Sequence, residues 1–65
     1  MTEEQRRTVM LIEQYYAANM AEIIGGDYDE TERVERLEGL NSAHDIMLRH
    51  VLLGEPYPKY ANEET

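Results

Sequence analysis

Two stretches of helical periodicity, parted by Gly25-Gly26, constrain this chain more than any other feature. Before the glycines, apolar residues fall at Val9, Ile12, Tyr16, Met20 and Ile23, in steps of three and four. That spacing is one face of an α-helix. After them, Val34, Leu37, Leu40, Asn41, His44, Met47, Leu48, Val51 and Leu52 share a second broad face. Glu35, Glu38, Ser42, Asp45 and Arg49 lie on its other side. Glycine accepts the left-handed backbone that commonly ends a helix, so Gly25-Gly26 is expected to stop the first helix in that way.

End signals frame both stretches. Thr2 and Gln5 form a Thr-x-x-Gln capping box, in which each side chain satisfies the other residue's backbone N–H. Glu3 and Glu4 stand in the first turn, where the helix dipole favours negative charge. Asp29 with Glu32 is the second cap pattern, and Asp27 is its rival. Glu3–Arg7, Glu32–Arg36 and Asp45–Arg49 are i,i+4 pairs with the acid first, the better orientation. Gly54 then Pro56 ends the second helix. The expectation is one all-α domain over residues 1–65: helix about 3–24, loop 25–29, helix about 30–53, extended tail 54–65. A loop this short predicts an antiparallel αα-hairpin. In the tail, Tyr57 or Tyr60 is expected to fold back on the hairpin, and residues 61–65 to fray.

A hairpin of 65 residues is hard to stabilise. Such a chain buries roughly 60% of the surface it exposes when unfolded. Small domains usually add disulfides, metals or a partner. With no cysteine, disulfides and thiolate zinc sites are excluded. A partner or a second copy is the common device that remains.

Helix 1 has the surface for one. Its main stripe spans about 80° at 100° per residue, enough to face helix 2. Met10, Leu11, Tyr15, Ala17, Ala18, Ala21 and Ile24 fall outside it, and only Glu13, Gln14, Asn19 and Glu22 are polar between residues 9 and 24. A helix apolar nearly all round is usually covered on more than one side. The plain alternative is that alanines are helix formers and single apolar residues are often exposed. Because Leu11, Tyr15 and Ala18 fall on one patch, we expect a second interface there, with Tyr16 and Met20 adjoining it. Its simplest form is an antiparallel dimer making a four-helix bundle.

The net charge of −8 argues against direct nucleic-acid binding, which needs clustered Lys and Arg. It also argues against anionic membrane surfaces. No run approaches the ~20 apolar residues of a membrane span. The acidic, polar opening Met1-Thr2-Glu3-Glu4 is unlike a secretory leader, so a cytoplasmic location is expected. Acids concentrate at Asp27, Asp29, Glu30, Glu32, Glu35 and Glu38. They could imitate a row of phosphates, or dock on a basic partner. Equally, they could serve solubility and the helix dipole.

Few residues suggest chemistry. His44, one turn after Asn41 on helix 2's apolar face, could be a buried switch or a metal ligand. The plainer role is a core histidine hydrogen-bonded to a tyrosine of helix 1 or to its dimer mate. Asn41 at a core position could fix helix register. His50 lies about 120° round the helix from His44, so the two cannot share an ion. Glu32, Glu35 and Glu38 could hold a divalent cation in a carboxylate bundle, but their spacing drifts and Arg33 and Arg36 interleave. No catalytic residue, metal site, cofactor or small-molecule substrate is expected. The outline is similar to that of many short helical-hairpin regulators, small bacterial kinase inhibitors and phage-encoded modulators among them, and function does not follow from shape. The sequence points to a small acidic non-enzymatic regulator or inhibitor that binds protein, as a homodimer. The alternatives are an acidic decoy for a nucleic-acid-binding protein and a structural subunit of a larger assembly.

Overall fold

A computed structural model describes residues 1–57. The chain forms two helices, α1 over Glu3–Gly25 and α2 over Glu30–Leu53, packed antiparallel. The expectations for Tyr60 and residues 61–65 fall outside the described residues.

Both N-termini are closed as their sequences require. Gln5 N–H donates to Thr2 Oγ1 at 3.0 Å, and Thr2 N–H donates to Gln5 Oε1 at 2.8 Å. Asp29 Oδ1, not Asp27, accepts from Glu32 N–H at 2.8 Å and caps α2. Along α2, Arg36 pairs with Glu32 and Arg49 with Asp45, each at 3.0 Å. Glu3–Arg7 is not among the ion pairs of the described residues.

The end of α1 differs from expectation. Gly26 is extended, at φ −83° and ψ 167°, and among the described residues only Gly54 adopts the left-handed region, at φ 73°. Glycine is needed at 26 for space instead. A Cβ there would stand 2.6 Å from Tyr28 Cε2 and 2.8 Å from the Glu22 carbonyl oxygen. Tyr28 folds against the chain, so the loop closes by contact rather than by an unusual dihedral.

Arg33 holds that loop from the first turn of α2. Its Nε donates to the Ile23 carbonyl at 3.4 Å, and its Nη2 to the Gly26 and Tyr28 carbonyls at 3.1 Å each. These carbonyls lie past or within the last turn of α1, where helical partners run out. A guanidinium fork suits several acceptors fanned over one loop.

Register is constant along the hairpin. Gln5 Nε2 donates to the Val51 carbonyl, Glu13 meets His44, Tyr16 meets Asn41, and Arg33 meets Ile23. The paired residue numbers always sum to 56 or 57, so each α1 residue has a known level on α2.

The core is slight. Among the described residues only Ile12 and Ile23 are buried, at 8% and 9% exposure. Val9, Tyr16 and Met20 of the same stripe are half-buried, as are Leu37, Leu40, His44, Met47, Leu48 and Val51 opposite. Three residues assigned to α2's inner face are exposed: Val34, Asn41 and Leu52. They lie on one flank of it. Arg33, Ala43 and Ile46, absent from that assignment, are half-buried. The packed face of α2 is therefore rotated away from Val34 and towards Ala43. The molecule is one helix layer thick, 13 Å across its thinnest dimension.

Candidate interaction surface

A single layer of two helices has two broad faces. At 100° per residue, Tyr15 stands about 100° from the centre of the packed stripe of α1, and Ile24 about 80° to the other side. Each therefore marks one face.

The Tyr15 face carries a groove between the helices. One part, about 340 Å³, is lined by Tyr15, Asn19, Glu22, Tyr28, Arg36 and Gly39, with Ile23, Leu40 and Ala43 at its floor. A second part, about 390 Å³, lies among Tyr15, Ala43, Ile46, Met47 and Tyr57. Tyr15 borders both and is 56% exposed. Opposite it, Gly39 faces open space: nothing lies within 4 Å of where its Cβ would be. Small residues at 39 and 43, one turn apart, leave a hollow on α2. Arg36 sits over the Tyr28 ring, 4.4 Å from its centroid, a cation–π contact.

The chain after α2 returns to this face. Tyr57 stacks on His50 with ring centroids 4.1 Å apart. His50 Nδ1–H donates to the Glu55 carbonyl at 2.8 Å. Arg49 reaches both Asp45 and Glu55. Its guanidinium is held above its ordinary pKa, first by the hydrogen bond to Asp45 and then by the charges of Asp45 and Glu55.

The polar residues marked as core lie at the rim of the helix interface. Asn41 is exposed and His44 half-buried, because the two helices alone are too thin to enclose them. Tyr16 OH donates to Asn41 Oδ1 at 2.6 Å, so the tyrosine serves asparagine rather than histidine. His44 Nε2 instead meets Glu13 Oε2 at 2.7 Å, and its ring lies against Tyr16 with centroids 4.2 Å apart. Glu13 orients the imidazole, but no serine or threonine hydroxyl bonds it among the described residues. Nor do three His, Asp or Glu side chains converge to hold an ion there.

The other marked positions separate by role. Leu11, Tyr15 and Ala18 are exposed, but only Tyr15 borders the groove. Tyr16 and Met20 are half-buried in the stripe that faces α2. Of the six acids, Asp29 is taken up by its cap and Glu32 by Arg36. Asp27, Glu30, Glu35 and Glu38 are exposed, with no ion pair among the described residues. The groove's small residues were unmarked in the sequence; the Gly39-x-x-x-Ala43 spacing was the available signal. Arg33 carried none, since an arginine in a helix's first turn reads as surface.

No described helix is long and apolar enough to cross a membrane. Comparison with protein-family models, with curated proteins and with solved structures finds no match to this chain. The fold and surface define a class and no more: an all-helical hairpin with an open apolar face.

Proposed function

We propose that this chain is a small acidic, non-enzymatic regulator that binds another protein through the surface of its helical hairpin. One observation carries the reading. Among the described residues two side chains are buried, whereas Met10, Leu11, Tyr15, Ile24, Val34, Leu52 and Leu53 all remain more than 40% exposed. Large apolar side chains left open on a small protein are a usual mark of an interaction site.

An acidic decoy for a nucleic-acid-binding protein is the second reading, favoured by the exposed acids at 27, 30, 35 and 38. Affinity capture from the native host separates the two. The wild-type chain, a charge-reversed variant (Glu30→Lys, Glu35→Lys, Glu38→Lys) and an Ile24→Ser/Val34→Ser variant would be compared. A specific partner that survives charge reversal but is lost from the serine variant is the expected result. Loss on charge reversal alone would favour the decoy. No partner dependent on either surface would overturn both.

A further inference from the structure

We propose that the Tyr15–Gly39 face is covered by a second copy of this chain, turned half a revolution about an axis parallel to the helices. Both loops then lie at the same end, and each α1 packs antiparallel over its partner's α2. The proposal deepens the reading of an uncovered hairpin surface by naming what covers one of its two faces.

Uncovered apolar surface is the first argument. On this face Leu11 and Tyr15 are 59% and 56% exposed, whereas among the described residues only Ile12 and Ile23 are buried.

Shape and register are the second. An isologous interface needs one surface that complements itself. This face has a knob, Tyr15, and a hollow, Gly39 to Ala43. Rotation about an axis along the helices keeps every residue at its own level. Since paired residues sum to 56 or 57, Tyr15 is level with positions 41 and 42, between Gly39 and Ala43. The tyrosine of each copy therefore meets the hollow of the other. Leu11 is level with residues 45 and 46, which brings it to the partner's Ile46. An antiparallel dimer with its loops at opposite ends, the arrangement anticipated from sequence, turns about an axis across the helices instead, so α1 faces the partner's α1 and Tyr15 misses the Gly39–Ala43 hollow.

Charge is the third. The groove's lining holds one acid and one base, Glu22 and Arg36. Glu22 is level with residues 34 and 35, so the rotation sets it beside the partner's Arg36. Arg36 also pairs with Glu32 at the groove's edge, while the other described acids of this chain of net charge −8 lie off the groove lining. The two acidic loops share an end, but exposed charges beyond about 8–10 Å are largely screened at physiological salt.

The test uses the full chain, whose lack of cysteine permits single labelling. Sedimentation equilibrium at micromolar concentration is expected to give twice 7.6 kDa. Spin labels on Asp27→Cys are expected within about 25 Å of each other, against about 35 Å or more if the loops lie a helix length apart. Gly39→Gln fills the hollow with a good helix former in open space. It is expected to give a monomer with undiminished helicity. A single-chain mass at full helicity, a larger oligomer, a Gly39→Gln dimer, or distant labels would each overturn the proposal. Protein capture by the monomeric Gly39→Gln chain reports separately on the regulator reading.

Discussion

At the scale of single residues, Gly26 and Arg33 do more for the turn than any dihedral preference. Gly26→Ala places a Cβ against the Glu22 carbonyl, a backbone atom that moves only if the helix end moves. Overpacking of this kind costs about 1–3 kcal/mol. The urea midpoint should fall accordingly, while Gly25→Ala, whose Cβ meets nothing within 4 Å, should leave it nearly unchanged. Arg33→Lys keeps the charge but cannot fork over three carbonyls. Hydrogen bonds from a charged donor contribute about 1.5–3 kcal/mol. We expect a loss in that range, with faster amide exchange in residues 26–29 and little change in helicity. Equal stability of Arg33→Lys and wild type would remove the clamp from the account.

At the scale of the element, each helix is defined by its caps as much as by its apolar stripe. Thr2→Ala and Asp29→Ala should each cost about 1 kcal/mol. The two sites are far apart in sequence and share no partner, so the losses should add within about 0.5 kcal/mol in the double variant. Non-additive losses in equilibrium unfolding would mean that the caps communicate. Asn41 and Tyr16 are a different case. Their 2.6 Å hydrogen bond joins the two helices at an exposed rim. Tyr16→Phe should cost only about 0.5–1.5 kcal/mol, measured by thermal melting, because both freed groups reach water. A larger loss would place this pair inside a wider assembly.

At the scale of the whole molecule, the layer is too thin to bury what it carries. Ile12 and Ile23 are the whole of the buried apolar core among the described residues. The face beyond Tyr15 and the face beyond Ile24 and Val34 both hold apolar side chains. If one is closed by a second copy, unfolding is coupled to association. The melting temperature should then rise with protein concentration, by several degrees between about 5 and 500 μM for a chain this small. A melting temperature independent of concentration would show that the hairpin stands alone. The opposite face and the exposed acids would remain for a different partner.

The sequence by itself determined the local structure. Periodicity placed two helices, the capping box and Asp29 closed their starts, and Gly54 supplied the left-handed stop, because these interactions run between residues three or four apart. It also exposed the surplus on α1, since counting apolar positions around a helix needs no tertiary information. What only the tertiary structure decided was the rotation of α2. That rotation left Val34, Asn41 and Leu52 outside, brought Ala43 and Ile46 in, and gave His44 to Glu13 rather than to a tyrosine. Arg33's hold on the turn and the hollow at Gly39 belong to the same set. Each depends on how two helices settle against each other, a choice made by packing many small contacts at once, and no single residue's preference fixes it.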